Sequence, residues 1–333
     1  VPLPLLITGI AGVAGYNALT YFGRLYPGQV VGIRQQRNCR LDGPGIEACD
    51  AEDREALARL FRRWRFRGVL NCAGNCALKH CEMDPPLAWR TNVEGIRTLL
   101  EFILAQQVRL VHLSIDLVFS GTGSGNHVET DPTDPVTVYG HTMVASEEIV
   151  RLADPAACVL RISLPMGVSF NGHAGAIDWI QWRFIQQKPA TLYFDEIRTP
   201  SYTDCMNRLF HEALARPLAG LYHAGGPRSL SLFEIAQIVN RVGGYDPDHL
   251  QGIPRQEAGP MPPRAGNVTM DSGRLSQALG YDPLDPWPHD GDLVPTDRKW
   301  HYERPAGQAY SPQRLAAVLY NNPLRGPGLG EAY

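Results

Sequence analysis

Residues 3 to 23, LPLLITGIAGVAGYNALTYFG, decide the fold. An apolar run ends at Thr8, glycines follow at Gly9, Gly12 and Gly15, and an amphipathic stretch continues beyond them. A strand that runs into a glycine turn opening a helix is the context in which such glycines signal dinucleotide binding. They let the backbone close tightly and approach a pyrophosphate, which then lies on the helix N-terminus. Gly9, Gly12 and Gly15 are accordingly read as cofactor-binding residues.

The next strand, QVVGIR, ends at Arg34, with Arg37 three residues on and no acidic residue at that end. A free ribose 2′-hydroxyl usually meets an Asp or Glu there, whereas two guanidiniums suit a 2′-phosphate. NADP is therefore preferred to NAD. Asp50 follows a short third strand and is placed to accept from an adenine amino group. A helix from about Glu52 to Trp64 leads to the strand GVLNCAG, and LAWRTNVEGIRTLLEFILAQQ reads as one long amphipathic helix before the strand RLVHLSIDLVFSG. A further strand lies near residues 157 to 163.

This alternation is that of an α/β fold, a doubly wound parallel sheet with a smaller substrate lobe. The expected division is a dinucleotide-binding domain over 1–165, to which segments at about 190–226 return, and a lobe mainly over 166–283. The extension over 284–333 is dense in Pro, Gly and Asp, with one short helix at SPQRLAAVLY capped by Ser311 and begun by Pro312. Its aromatics Trp287, Trp300, Tyr302 and Tyr310 suggest packing onto the body.

Composition narrows the function classes. The chain has 333 residues, 44% hydrophobic and 20% charged, enough for such a domain and lobe. A formal charge of −3 gives no reason to expect nucleic acid or acidic lipid as the main partner. The basic run Arg62-Arg63-Trp64-Arg65 reads as a solvated helix end. No apolar run reaches the roughly 18 residues of a membrane span, and a cytoplasmic protein is expected. Seven cysteines without framework spacing fit reduced thiols. Cys72, Cys76, His80 and Cys81 cluster locally, but C-x3-C-x3-H-C is no standard zinc pattern, so no metal is expected.

Several stretches together resemble the extended short-chain dehydrogenase/reductases. They are TGIAGVAG (8–15), NCAG (71–74), SIDLVFSG (114–121), YG (139–140), LRISLPMG (160–167), RTPSYTDCMNRLF (198–210), GLYHAGG (220–226) and SLFEIAQIV (231–239). Within that superfamily they look most like the dTDP-4-dehydrorhamnose reductase-like group, which also contains the regulatory beta subunit of methionine adenosyltransferase. The resemblance covers roughly residues 3 to 282. It implies a nicotinamide cofactor lined by Cys72, Ala73, Gly74, Asn92, Ser114, Tyr139 and Met143, and a substrate cleft with Asp116 beside it and Arg198, Thr199 and Pro200 as its wall; Arg264 is read as a contact to a phosphate of a nucleotide-linked substrate. It also implies a homodimer through the helices around 89–106 and 139–152.

In that family a Ser or Thr, a Tyr and a Lys share the chemistry, and the Lys lowers the pKa of the Tyr. Carried over, the tyrosine is Tyr139, but the lysine position is Met143 and the hydroxyl position is Ile115. A phenol near pKa 10 is poorly tuned for neutral proton transfer unless a cation stabilises its phenolate. Lys79 or His80, in the stretch GNCALKHCEMDPP read as a loop, can supply a cation or acid from the opposite side. Ser114, one residue before Ile115, points away on a strand of period two. Some epimerising relatives use a Cys and a His, which makes Cys76, His80 and Cys81 candidates by region.

Three functions follow in order. The first is an NAD(P)-dependent reductase of a keto group on a nucleotide-linked sugar or similar carbonyl compound, with a non-standard active site. The second is a catalytically inactive dinucleotide-binding regulatory or structural subunit with a protein partner. The third is an epimerase or lyase using the Cys/His segment at 72–81.

Overall fold

The structure, a computed structural model, describes residues 1–173, 175–307 and 310–320. Seven strands form the central sheet: β1 (Leu5–Thr8), β2 (Val30–Arg34), β3 (Ile46–Ala48), β4 (Gly68–Asn71), β5 (Arg109–Ile115), β6 (Cys158–Ile162) and β7 (Gly220–Ala224). Their order is β7-β6-β5-β4-β1-β2-β3 and every pairing is parallel. Strands buried on both faces read as continuous apolar runs, as LLIT and CVLRI do. The strand order reverses beside β1, so the crevice for a ligand lies at its C-terminal end, where the glycine turn stands.

Two apolar layers sandwich the sheet. One face is covered by α1 (Val13–Leu25), whose Ala18 and Phe22 share a core with Leu209 and Phe210 of the helix Thr203–Ala215. The other carries α2 (Arg54–Trp64), with Leu57, Leu60 and Phe61 packed against Ile96, Leu99 and Leu100. Asp53 caps α2, accepting from the Ala56 amide at 2.9 Å.

Two local expectations are corrected. The stretch after β4 is not a loop: it holds α3 (Leu78–Met83) and α4 (Pro85–Trp89), the latter capped by Asp84 through the Leu87 amide at 3.0 Å. The long helix is also interrupted. A π-helical turn, Arg90–Glu94, separates α4 from α5 (Gly95–Gln106). The extra residue in that turn carries Asn92 into the interior, where it is buried and hydrogen-bonded. The helix α6 (Val138–Ala153) then runs unbroken beneath the cleft, capped by Thr137.

The returning segment divides. Residues 220–224 complete the main sheet as β7, whereas 190–193 pair in parallel with 250–253 in the lobe. The described part of the extension packs on the lobe. Trp287 is fully buried and its indole donates to Leu319 O at 2.9 Å, while Arg304 donates to Arg241 O and Tyr245 O, each at 2.7 Å. The last helix described, Pro312–Leu319, has Ser311 as its cap, as expected. No helix among the described residues is long and apolar enough to cross a membrane.

Candidate active site

The glycines are required by close approach. Gly9 has φ +66°, and a Cβ there would stand 2.2 Å from Cys72 O. A Cβ on Gly15 would stand 2.4 Å from Gly9 O. Gly12 differs: its amide donates to Gly9 O at 3.0 Å, yet the nearest atom to an added Cβ is at 3.5 Å. It borders open space at the N-terminus of α1, which has no side-chain cap and no acidic residue in its first turn. A side-chain-free helix N-terminus facing a glycine cradle fits a pyrophosphate in chemistry and in room. Thr8 Oγ donates to Asn71 Oδ1 at 2.5 Å and accepts from the Ala73 amide at 3.1 Å, tying the turn to the end of β4.

At the rim, Arg34 Nη1 donates to the carbonyls of Gln35 and Gln36 at 3.2 and 3.3 Å, and its Nε is buried without a partner. Arg37 is exposed and donates to Gln35 Oε1 at 2.8 Å. Asp50 accepts from the Gln36 amide at 3.1 Å through one carboxylate oxygen. Cys72 is half-buried, and burial pushes its thiol up, so it is neutral. Gly74 is exposed, and a Cβ on it would stand 3.6 Å from Asn92 Oδ1.

Asn92 is a hub that sequence reasoning named only by resemblance. Its Oδ1 accepts from the Asn75 amide at 2.6 Å, and its Nδ2 donates to Thr142 Oγ at 2.8 Å. Thr142 donates in turn to Tyr139 O at 2.7 Å. The floor of the cleft is thereby locked to α6.

Tyr139 is buried, and among the described residues its hydroxyl has no hydrogen-bond partner. Burial pushes its phenol well above the usual 10.0, Cys76, Asp116 and Cys81 add to that rise, and Arg198 opposes it. One turn on, Met143 lies in an apolar cluster with Tyr139, Cys81, Ala88, Leu117 and Phe119, against which half-buried Ile115 packs. Lys79 and His80 are exposed on α3, and among the described residues neither side chain makes a hydrogen bond or ion pair. The structure does not bring them into contact with Tyr139. Cys76 is exposed at the cleft, while Cys81 is buried and donates to Asn75 O at 3.1 Å. No group of three or more His, Cys, Asp or Glu among the described residues is arranged to hold a metal ion.

Ser114 stands apart from the cofactor residues. Strand alternation turns it into the protein, where its hydroxyl donates to Glu147, itself paired with Arg161 at 2.7 Å. Both side chains of that pair are buried.

The substrate-side residues do meet, but in pairs with each other. Arg198 grips Asp116 with Nε at 2.6 Å and Nη2 at 2.5 Å, and Ser163 donates to the same carboxylate at 2.5 Å. Glu196, buried, lies 3.8 Å from both Arg198 and Arg264, yet burial raises its carboxyl above the ordinary carboxylate value. Arg264 sits over the Tyr193 ring at 4.9 Å. Thr199 Oγ and Ser201 Oγ are buried without hydrogen-bond partners. Glu196 escaped sequence reasoning; its position two residues before Arg198 in an extended segment was the signal that could have found it.

Comparison with known proteins finds relatives of the same fold. The dTDP-4-dehydrorhamnose reductase of Streptomyces griseus is 26% identical over 288 residues, 85% of this chain and 90% of that protein. The enzyme of the same name from Mycolicibacterium smegmatis is 27% identical over 243 residues, 72% of each chain. Among solved structures, a dTDP-4-dehydrorhamnose reductase from Bacillus anthracis in complex with NADP superposes with a TM-score of 0.74 at 18% identity, covering 85% of this chain and 95% of that one. A Thermotoga maritima UDP-glucose 4-epimerase with UDP-glucose gives the same TM-score at 18% identity, over 87% and 96%. Residues 4–291 match the family of the RmlD substrate binding domain, and the chain belongs to that family.

Proposed function

We propose that this protein is an NAD(P)-dependent reductase of a keto group on a nucleotide-linked sugar, with NADP the preferred cofactor. The observation that carries the reading is the Tyr139 side chain, buried as a whole while its hydroxyl makes no hydrogen bond among the described residues, on a helix tied through Thr142 and Asn92 to the stretch after β4. When bound, the nicotinamide supplies the hydride. Gly9, Gly12, Gly15 and the open N-terminus of α1 hold the pyrophosphate, with Arg34 and Arg37 at the ribose. Arg198, Thr199 and Arg264 wall the substrate side. Tyr139 donates the proton to the carbonyl oxygen.

Burial holds the Tyr139 phenol well above 10.0, so it stands in its protonated form at neutral pH, the form that gives a proton to a carbonyl oxygen. Without a cation beside its phenolate, that transfer is slow in either direction. Seven free thiols and a nicotinamide cofactor fit a cytoplasmic setting.

One arrangement favours a second reading, a dinucleotide-binding protein without turnover. Met143 is sealed in an apolar cluster, and the guanidinium of Arg198 is already neutralised by Asp116. Calorimetric titration with NADPH and NADH, followed by turnover against dTDP-4-keto-6-deoxysugars, separates the two. NADPH consumption that is lost in Tyr139→Phe supports the reductase. Tight binding without turnover supports the second reading, and absence of binding to either cofactor overturns both.

A further inference from the structure

On the sheet edge opposite the glycine turn, an open cavity of about 650 Å³ lies where α2 and α5 end and the chain enters β4 and β5. Arg62, Arg65, Arg67, Gln106 and Gln107 line it over a floor of Phe61 and Phe66, whose rings meet edge to face at 5.3 Å. No carboxylate lines it. Among the described residues these three guanidiniums make no hydrogen bond, ion pair or ring contact. Neighbouring arginines do: Arg54 pairs with Glu101, Arg59 with Glu55 and Arg63 with Glu47. Arg65 and Gln107 are the left-handed C-caps of the two helices, at φ 48° and 52°, so both helix ends open onto one cavity.

Solvated helix ends alone do not account for this charge. Each helix C-terminus presents roughly half a negative charge, about one unit for the two. Three guanidiniums exceed that by about two positive charges. The volume falls within the range of small-molecule sites, about 300–1,000 Å³. Guanidinium forks match phosphate oxygens in geometry, and the flanking amides can read a neighbouring polar group. We infer that this cavity is a second anion site, separate from the dinucleotide cleft, which takes an oligophosphate of small-molecule size. The source is a nucleoside triphosphate or a free inorganic chain; the phosphate chemistry is common to both.

Isothermal titration of the full chain with sodium tripolyphosphate and with ATP tests the inference. Three proteins are compared: the unaltered chain, the triple variant Arg62→Ala/Arg65→Ala/Arg67→Ala, and Gly12→Ala. Binding is expected in the unaltered chain, retained in Gly12→Ala, and weakened by about tenfold for each arginine removed. It should also weaken as salt rises. In Gly12→Ala, where the dinucleotide cleft no longer takes phosphate, ATP binding tighter than tripolyphosphate assigns the nucleotide as ligand, and the reverse assigns the inorganic chain; both keep the site. The three arginines are exposed, so the triple variant is expected to melt as the unaltered chain does. A triple Arg→Lys variant, which keeps the charge and loses the forks, should bind at intermediate strength. Unchanged affinity in the triple alanine variant, loss of binding in Gly12→Ala, or no binding in the unaltered chain overturns the inference. None of these outcomes depends on whether the chain reduces a sugar.

Discussion

At the scale of single residues, the three glycines separate structural from functional demand. Gly15→Ala would drive a Cβ to 2.4 Å from Gly9 O, so it should fail to fold or melt far lower. Gly12→Ala meets nothing closer than 3.5 Å and should melt within a few degrees of the unaltered chain, yet lose NADPH affinity by at least about tenfold because the methyl group occupies the phosphate approach. Thermal melting and calorimetry on the same samples check both outcomes. His112 supplies a second residue-scale prediction. It accepts from Asn71 Nδ2 at 2.8 Å, reaches Ser146 Oγ at 3.3 Å, and is lowered by burial from 6.5 to about 4. Its folded pKa lies below its unfolded one, so the unfolded chain binds the extra proton. The stability tied to neutral His112 is whole above pH 6.5 and is lost progressively as pH falls towards 4, by about 3 kcal/mol in all. Urea midpoints across that window should fall less steeply in His112→Gln.

At the scale of elements, the π-turn Arg90–Glu94 couples the cofactor loop to α6 through one side chain. Asn92→Ala leaves the Asn75 amide without its acceptor and should destabilise by about 1–3 kcal/mol. Amide hydrogen exchange should show Asn75 losing protection ahead of the sheet. This element also marks where sequence reading stops. The strands, the glycine turn, the α2 helix and the Ser311 cap were legible because each signal is local: an apolar run, a φ requirement, a hydroxyl before a Pro. The π-turn was not, since LAWRTNVEGIRTLLEFILAQQ has the apolar period of an unbroken helix. Nor was the Asp116–Arg198 pair, whose partners are 82 residues apart. Both residues were expected beside a substrate, and their being spent on each other is a property of tertiary packing. Ser114 was legible in one respect, because strand alternation alone turned it from the cleft.

At the scale of the molecule, one apolar core runs from β1 through the lobe into the extension, joining Leu5, Phe210, Ile238, Trp287 and Leu319. The described part of the extension, 284–307 and 310–320, thus belongs to the folded body. Trp287→Ala should cost about 3–5 kcal/mol by leaving a cavity and an unpaired Leu319 carbonyl. Denaturant unfolding followed by far-ultraviolet circular dichroism reads that loss as an earlier single transition. Two separate transitions would show that lobe and sheet unfold independently.

The position of β7 has a consequence for synthesis of the chain. β6 ends at Ile162, but its outer neighbour begins only at Gly220, after the intervening lobe segments. At roughly 5–20 residues per second, a ribosome takes about 3–12 s to deliver that partner. Meanwhile an apolar strand stands with an open edge, the kind of surface that invites pairing with another nascent chain. The sheet matures late, and its yield in a cell will depend on what shields Cys158–Ile162 during those seconds.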